Sequence, residues 1–371
     1  MIVGIPKEIK NEERRVGMVP SSVRELVDHG HSVMVERHAG TGVGADDESY
    51  ILAGAKICDT ASEIFASADM VVKVKEPQAA ERKMLREGQI LFTYLHLAPD
   101  VAQTSELLAS GATAIAYETV TDASGRLPLL TPMSQVAGRM SIQAGAHCLE
   151  SAVGGSGVLL GGVPGVSSAK VVVIGGGVVG LNAIEMAVGL GASVTLLDRD
   201  LGVLHELSHR FGPALETAYS TRASVEELVV DADLVIGAVL VAGAAAPKLV
   251  TREMIRNMRE GSVVVDVAID QGGCFETSRA TTHADPTYVV DGVVHYCVAN
   301  MPGAVPVTST AALNNATLPY ALALADNGLA ALSDDPGFLE GLNVHHGMLT
   351  YGPVGEAQGL DVIDPTTALS H

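Results

Sequence analysis

A glycine-rich turn near the middle of the chain has the spacing that dinucleotide-binding loops require. The apolar run at residues 171–174 leads into Gly175-x-Gly177-x-x-Gly180, and a helix-like segment follows. In such a turn the first glycine permits a tight bend, the second lets a pyrophosphate approach the backbone, and the third lets helix and strand pack closely. The pattern therefore predicts a site for a phosphate-containing cofactor at the start of a helix.

An acidic residue at the end of the next strand-like run indicates which cofactor this turn binds. Asp198 would hold the hydroxyls of the adenosine ribose, and its charge would repel a 2′-phosphate, which favours NAD over NADP. Arg199 weakens that preference slightly. Val178 and Val179, at the start of the helix, are further expected cofactor contacts. A glycine-rich turn without ligand and a flavin site are less favoured, since no second flavin motif is present.

The composition excludes several kinds of partner. Among 371 residues, 43 are acidic and 23 are Lys or Arg, and the net charge of −20 would repel nucleic acid. Four cysteines without CxxC or zinc spacing predict reduced thiols and no metal site. The most apolar region, residues 158–173, is interrupted by Pro164 and polar residues, and no signal peptide is visible. We therefore predict a soluble cytoplasmic protein without membrane or nucleic-acid partners.

The alternation of strand-like and helix-like segments predicts two α/β domains with mostly parallel sheets. The first series has strands at 2–5, 31–36, 70–74, 89–95 and 113–117, and helices at 21–29, 46–53, 62–68, 80–86 and 101–109. The second has a long helix at 134–150 and strands at 171–174, 193–197, 234–238, 263–269 and 293–298. Residues 311–324 and 328–332 are predicted to be helical. The last 35 residues are too few for a third domain and are expected to pack onto the first.

Polar side chains end several of these strands, where open parallel sheets bind their ligands. They are Arg15, Lys75, His96 and Glu118 in the first domain, and Asp270 and Asn300 in the second. We expect them to face a cleft between the two domains. Each has a plainer interpretation: Arg15 as a surface cation, Lys75 as a solvated strand end with Lys73 as its alternative, Glu118 as structural, and Asp270 as a turn cap. His96 suggests acid/base chemistry more strongly. The residues alone thus predict an NAD-dependent oxidoreductase of unknown substrate.

Long ordered motifs over about residues 1–325 resemble those of the alanine dehydrogenase family. They are GIPKEIKNEERRVGMVP, VVKVKEP, FTYLHLA, AIAYETV, LLTPMS, GVLLGGVPGV, VVIGGGVVG, LVIGAVL, VVVDVAIDQGGCFET, VANMPGAVPVTST and ALNNATLPY. The resemblance implies a reversible reaction in which L-alanine, NAD and water give pyruvate, ammonium and NADH. It also implies two Rossmann-like domains, a substrate domain from residues 1–130 and 306–371 and an NAD domain from residues 131–305, in a homohexamer.

The same resemblance implies a role for individual residues. Arg15 corresponds to the residue that binds the substrate carboxylate, Lys75 to a second substrate contact, His96 to the acid/base group, and Asp270 to its catalytic partner. Positions that line the cofactor correspond to Ser134, Asp198, Ser220, Val239, Leu240, Asn300 and Met301. The chain departs from many relatives at Gln135, and at Val203, where some relatives have a lysine near the cofactor ribose.

Three alternatives stay open from the sequence. The first is the NAD-binding subunit of a proton-translocating transhydrogenase, against which Arg15, Lys75 and His96 argue. The second is a dehydrogenase of similar fold for a larger amino acid, such as one with opine-like or saccharopine-like products. The third is a non-catalytic NAD-binding protein. In the favoured mechanism Arg15 and Lys75 fix a small carboxylate, His96 exchanges protons, and Asp270 orients water and stabilises the iminium.

Overall fold

A computed structural model describes residues 1–239 and 246–370. The chain divides into two compact units. The first, here called the split unit, consists of Met1–Met133 and Val305–His371 and so contains both chain ends. The second, here called the central unit, is Ser134–Ala304. One division falls inside a long helix, at residues 133 and 134, and the other falls at the end of a short 3-10 turn.

Strands and helices alternate through most of the described residues. The strands are β1 (Ile2–Ile5), β2 (Ser32–Glu36), β3 (Lys56–Cys58), β4 (Met70–Val72), β5 (Ile90–Thr93), β6 (Thr113–Ala116), β7 (Lys170–Ile174), β8 (Ser193–Asp198), β9 (Leu215–Tyr219), β10 (Leu234–Gly237), β11 (Val263–Asp266), β12 (Thr287–Val290), β13 (Val293–Tyr296), β14 (Leu342–His345) and β15 (Met348–Leu349). The helices are α1 (Pro20–Asp28), α2 (Asp47–Leu52), α3 (Ala61–Ser67), α4 (Ala79–Arg82), α5 (Val101–Ser110), α6 (Thr131–Cys148), α7 (Val178–Gly189), α8 (Leu201–Phe211), α9 (Arg222–Val230), α10 (Arg252–Asn257), α11 (Pro306–Asn327), α12 (Ala330–Asp334), α13 (Pro336–Leu339), α14 (Gly352–Gln358) and α15 (Pro365–Ala368).

The sheet of the split unit has eight strands in the order β15-β14-β6-β5-β4-β1-β2-β3. Strands β1 to β6 pair in parallel, whereas β14 pairs antiparallel with both β6 and β15. The expectation that the last residues pack onto the first domain is confirmed, because β14 extends its sheet. The order of strands changes direction between β1 and β4, and such a reversal is where doubly wound sheets bind ligands.

The sheet of the central unit has seven strands in the order β12-β13-β11-β10-β7-β8-β9. All neighbouring pairs are parallel except the β12–β13 hairpin. Here the reversal lies between β7 and β10. The prediction of an α/β fold with two mostly parallel, Rossmann-like sheets is therefore confirmed.

Strand β7 of the central sheet is almost continuously apolar in sequence, and its packing shows the reason. Val171 and Val173 pack into one core cluster, and Val172 and Ile174 pack into another. Successive side chains of a strand point to opposite faces, so this strand is covered on both of them. The sheet thus lies between two cores. Because both of its faces are covered, a ligand can contact it only at the ends of its strands.

The structure corrects several predicted elements. The predicted strand at 263–269 ends at Asp266, and the chain then forms a 3-10 turn over Val267–Gln271. Strands β3, β9, β12, β14 and β15 were missing from the prediction. Strand β9 lies at the edge of its sheet, and its exposed Glu216 and Thr217 interrupt the apolar pattern.

Candidate functional site

The glycine-rich turn joins β7 to α7 with the geometry that its spacing predicts. Gly175 has φ +100°, a backbone conformation that side chains rarely permit. A Cβ on Gly180 would lie 1.8 Å from the carbonyl oxygen of Gly175, whereas a Cβ on Gly177 would meet nothing within 4 Å. Gly180 therefore allows the helix to pack on the strand, and Gly177 leaves open space at the helix start. No side chain caps this end of α7, so its first N–H groups can bind an anion.

Asp198 lies beside this turn, at the end of β8. Its Oδ2 accepts the N–H of Gly176 at 2.6 Å, and its Oδ1 accepts the N–H of Asp200 at 2.9 Å. A Cβ on Gly176 would approach Cγ1 of Val203 to 2.5 Å, so Val203 packs directly against the turn. Two backbone hydrogen bonds thus fix a carboxylate next to the glycine-rich turn.

The other positions expected to contact the cofactor have different surroundings. Ser220 is buried, and its N–H donates to the carbonyl oxygen of Asp198 at 2.8 Å. Val239, half-buried, lies beside the turn, since a Cβ on Gly175 would be 3.1 Å from its Cγ2. Leu240 lies outside the described residues.

The two valines that were predicted to contact the cofactor, Val178 and Val179, differ in the exposure of their side chains. The side chain of Val178 is 40% exposed at the first turn of the helix, and that of Val179 is buried in the core. Only their N–H groups share the helix start. Ser134 is half-buried near the beginning of α6, and the neighbouring Gln135 is exposed.

Asn300 and Met301 lie in the loop after β13. Asn300 has φ +63°, and its carbonyl oxygen accepts a hydrogen bond from Nε2 of His283 at 3.1 Å. The side chain of Met301 is 3% exposed and belongs to the core cluster of the central unit. A cofactor contact at this position would therefore come from its backbone.

Asp270 is exposed in the 3-10 turn Val267–Gln271, directly after β11. The preceding carboxylate, Asp266, is buried and holds the loop together. It accepts the N–H of Cys274 at 2.9 Å and the O–H of Ser278 at 2.5 Å. Burial raises the pKa of Asp266, and these hydrogen bonds only partly offset the increase. Sequence reasoning missed Asp266, although an aspartate that ends an apolar strand before a glycine pair could have indicated it.

In the split unit, Arg15 follows β1 and is 2% exposed, so the interpretation as a surface cation is wrong. Its Nε and Nη2 donate to the two carboxylate oxygens of Glu13 at 2.7 and 2.6 Å, and its Nη1 lies 3.0 Å from Sδ of Met133. Burial alone would lower the pKa of Arg15, but the paired Glu13 carboxylate raises it by a larger amount, so the guanidinium stays charged. Arg15 and Glu13 line a cavity of about 640 Å³.

The two lysines after β4 have different environments. Lys73 is 0% exposed, and its Nζ lies 3.2 Å from Oε2 of Glu8 and 2.8 Å from Oε1 of Glu81. Burial raises the pKa of Glu8 despite the nearby ammonium. Lys75 is half-buried, and its N–H donates to Glu8 at 3.3 Å. The ammonium of Lys73 therefore belongs to a buried ion-pair network.

His96 follows β5 with φ +50° and a side chain that is 47% exposed. A non-glycine residue in this conformation is strained by about 1–3 kcal/mol. Its ring stacks on that of Tyr94, with centroids 5.8 Å apart and planes within 8°. The Arg15 charge acts on Tyr94, which is buried, and Glu118 accepts the N–H of His96 at 2.6 Å. The structure thus brings Arg15, His96 and Glu118 to one edge of the split-unit sheet.

The described residues contain neither a metal-binding cluster nor a membrane-spanning helix. Over 1–239 and 246–370, no group of three or more His, Cys, Asp or Glu side chains could hold a metal ion. In the same part of the chain, no helix is long and apolar enough to cross a membrane.

The strand orders and the glycine-rich turn define a two-unit protein of the doubly wound, dinucleotide-binding class. Residues 4–137 match the family model for the alanine dehydrogenase/PNT N-terminal domain, and residues 141–352 match the one for the C-terminal domain. The chain belongs to the alanine dehydrogenase/PNT family, and the resemblance to it predicted from the sequence is confirmed.

Individual relatives agree with this assignment. The alanine dehydrogenase of Halomonas elongata is 59% identical over 370 residues, with all of both chains covered. A solved L-alanine dehydrogenase is 54% identical with a TM-score of 0.94 and covers 96% of this chain and 99% of its own. A transhydrogenase from Sinorhizobium meliloti is 28% identical with a TM-score of 0.83 and covers 94% and 100%.

Proposed function

We propose that this chain catalyses the reversible, NAD-dependent oxidative deamination of L-alanine to pyruvate and ammonium. The observation that carries the proposal is the 59% identity, over the whole of both chains, to a protein named alanine dehydrogenase. The surroundings of Arg15, Lys75 and His96 at the carboxyl ends of the split-unit strands support it, because a small amino acid needs a carboxylate anchor and a proton-exchanging group.

The residues of the central unit fit NAD. The open space at Gly177 and the uncapped start of α7 can receive the pyrophosphate, and the Asp198 carboxylate beside the turn can hold the ribose hydroxyls. Val239 and Ser220 lie next to these groups and would line the site. When bound, NAD supplies the acceptor for the hydride that leaves the substrate Cα. Asp198 disfavours NADP because its charge would oppose a 2′-phosphate.

Arg15 and Lys75 would bind the substrate carboxylate. Glu13 accepts from Nε and Nη2 of Arg15. The same ion pair holds the Arg15 side chain in one orientation, and a fixed planar donor group positions a small zwitterion well. Positioning of this kind is worth roughly 7–11 kcal/mol of barrier in favourable cases.

His96 would take the proton from the ammonium group of the substrate and later return it to the departing amine. Its exposed ring lets it reach a bound molecule, which the buried tyrosines beside it cannot do. Asp270 is also exposed, and its carboxylate would orient the attacking water and stabilise the positive charge of the iminium. General acid/base help of this kind is typically worth about 10²–10⁴-fold in rate.

Two other properties complete the proposal. We expect the enzyme to act in the cytoplasm as a homohexamer. The glycine-rich segment at residues 158–166 supports self-association, because Leu159, Val163 and Val166 are each more than half exposed on it. Molar mass in solution, measured by light scattering on the eluting peak, would test the hexamer.

A role as the NAD-binding subunit of a transhydrogenase is the second candidate, since such a protein has a similar structure over 94% of this chain. Its lower identity of 28% and the arrangement of Arg15 and His96 favour the first candidate. A dehydrogenase for a larger amino acid and a non-catalytic NAD-binding protein are the remaining alternatives, and the same assay separates them.

The deciding experiment is NADH formation at 340 nm from NAD and L-alanine at alkaline pH. NADP, D-alanine, serine and lysine serve as parallel substrates. Turnover with NAD and L-alanine, reduced by about 10²–10⁴-fold in His96→Ala, would support the proposal. A folded protein that binds NADH but gives no turnover with L-alanine would refute it.

A further inference from the structure

We infer that Glu118 is a positioning residue for His96, which it holds with Nδ1 facing its own carboxylate, so that Nε2 is the nitrogen that exchanges protons with the substrate. This inference rests on the proposed function, in which His96 is the acid/base group. Four observations in the split unit carry it: the backbone hydrogen bonds of Glu118, the backbone conformation of His96, the direction of its ring, and the anchoring of the turn.

Glu118 binds the backbone of the turn that presents His96. Its Oε1 and Oε2 lie 3.1 and 3.2 Å from the N–H of Leu95, and Oε1 lies 2.6 Å from the N–H of His96. Two successive N–H groups that point at one carboxylate form an anion-binding nest. Hydrogen bonds to a charged acceptor are roughly twice as strong as neutral ones. The carboxylate can therefore hold a turn that has little intrinsic stability.

The conformation of His96 shows why such a restraint is needed. Its φ of +50° lies in the left-handed region, which is less favourable for a non-glycine residue. The turn is also held from its other side, because Nε2 of the buried Gln103 donates to the carbonyl oxygen of Leu95 at 2.6 Å. Backbone hydrogen bonds on both sides keep Leu95 and His96 in one arrangement.

The same carboxylate lies on the Nδ1 side of the ring. Oε1 of Glu118 is 3.8 Å from Nδ1 of His96, which is within ion-pair distance but longer than a hydrogen bond. The ring stacks on Tyr94, whose hydroxyl donates to the carbonyl oxygen of Leu129 at 2.6 Å. A carboxylate near one nitrogen of a ring that is confined to one plane favours the tautomer that carries the proton on that nitrogen. Nε2 is then the acceptor in the neutral form.

Glu118 can do this without touching the substrate. It belongs to the short 3-10 turn Tyr117–Thr119 after β6, and its side chain is only 16% exposed. Strands β5 and β6 are hydrogen-bonded neighbours, so the acid/base residue and the residue that orients it come from adjacent strand ends. Two adjacent strands of a rigid sheet can thus hold the strained turn of His96 in a fixed position.

The first test is Glu118→Gln, which keeps the size and one acceptor oxygen but removes the charge. In the reductive amination of pyruvate we expect kcat to fall about 10- to 100-fold, because a misplacement of about 1 Å costs on the order of 10²-fold. The KM for pyruvate and the Kd for NADH should change less than about threefold. Glu118→Asp, which keeps the charge, should recover part of the lost kcat. If Glu118→Gln does not fold, the kcat of Glu118→Asp measures the effect of moving the carboxylate.

The second test is a double-mutant cycle with His96→Ala. If Glu118 acts through His96, Glu118→Gln adds no further loss of kcat in the His96→Ala background. Additive losses, or a raised KM with kcat unchanged, would overturn the inference. The two proposals fail separately: full activity of His96→Ala refutes the acid/base role of that residue, whereas an inactive His96→Ala beside a fully active Glu118→Gln refutes only the positioning role.

Discussion

The split and central units share the order of their first five strands, yet the loops that follow their first strands contain opposite kinds of residue. In each unit the first strand lies beside the second on one side and the fourth on the other. After β7 the central unit has a glycine-rich turn whose working groups are backbone N–H donors. After β1 the split unit has the charged segment at residues 6–19, from which Glu8, Glu13 and Arg15 are buried.

The difference follows from the anions that the two positions are proposed to bind. A pyrophosphate is large and can be held by several N–H groups at a helix start, which requires that side chains be absent. A three-carbon amino acid has only one carboxylate, and binding it needs a localised positive charge with a fixed direction. A buried cation is stable only when paired, and Glu13 and Glu8 supply the partners of Arg15 and Lys73. The same topology thus supports two sites through different loop chemistry.

The largest expected effect concerns the buried charges of the split unit. Lys73→Met removes the ammonium between Glu8 and Glu81, and leaving buried carboxylates without a cation costs about 3–5 kcal/mol. Lys75→Met is the matched control, because this lysine is half-buried and the substitution keeps its backbone N–H, which donates to Glu8. We expect the control to lose less than about 1 kcal/mol of stability while its KM for pyruvate rises. Denaturant unfolding compares the two, and equal losses would contradict the assignment.

The stability lost in Lys73→Met should depend on pH in a direction that can be checked. Burial raises the pKa of Glu8 above 4.5, so the folded state binds a proton more readily than the unfolded state. This contribution to stability is complete below about pH 4.5 and is lost as the pH rises through the folded-state value. The Lys73 charge lowers the pKa of Glu8 in the parent, so this pKa should be higher still in Lys73→Met, and the deficit of the variant should shrink as the pH falls from 7 toward 5. A deficit that grows in this interval would exclude the explanation.

The next effect concerns packing in the glycine-rich turn. In Gly180→Ala the new methyl group would lie 1.8 Å from the carbonyl oxygen of Gly175, so the start of α7 has to shift. Overpacking of this kind costs about 1–3 kcal/mol, and NADH binding should be lost together with the stability. Gly189→Ala, near the end of the same helix, meets nothing within 4 Å and should be neutral or slightly stabilising. NADH fluorescence titration and thermal unfolding of both variants give the comparison.

Gly177→Ala separates ligand approach from packing. Its methyl group would meet nothing within 4 Å in the protein, so the unfolding transition should not move. It would, however, occupy the space proposed for the pyrophosphate, and we expect the Kd for NADH to rise about tenfold or more, or about 1.4 kcal/mol. Unchanged NADH affinity would place the pyrophosphate elsewhere.

The smallest expected effect concerns the choice between NAD and NADP. Asp198→Ala removes the carboxylate that lies beside the turn, and the ratio of kcat/KM for NAD to that for NADP should fall about tenfold. The substitution also removes the acceptor of the N–H groups of Gly176 and Asp200, so the two cofactors are compared within the one variant. If the variant kept the parent's cofactor ratio, another residue would have to discriminate between the two.

Local sequence predicted the geometry of the glycine-rich turn well, because each of its requirements is met within one strand, one turn and one helix. The roles of Gly175, Gly180 and Asp198 depend on backbone conformation and on the neighbouring strand, and both can be read from spacing. The same is true of the parallel order of the sheets, which follows from alternating strands and helices. Strands β3, β9, β12, β14 and β15 were missed, and in β3 and β9 exposed polar residues interrupt the apolar pattern.

The substrate side was harder to predict, since it depends on contacts between residues far apart in the chain. Lys73 and Lys75 have the same type and are two positions apart, and only the packing of Glu8 against Lys73 distinguishes them. Arg15 seemed equally compatible with the surface until its pairing with Glu13 was known. Asp266 was missed altogether because its partners lie in a loop that follows the strand.

The sequence by itself determined the fold class, the family, the position of the cofactor turn and the set of residue types available for chemistry. These depend on periodicity, on glycine spacing and on motifs, all of which are properties of short segments. Only the tertiary structure decided which lysine is buried, that Arg15 is held by a carboxylate, and that Glu118 reaches the turn of His96. Those facts depend on which strand ends become neighbours in the sheet, and short segments do not encode the distances between them.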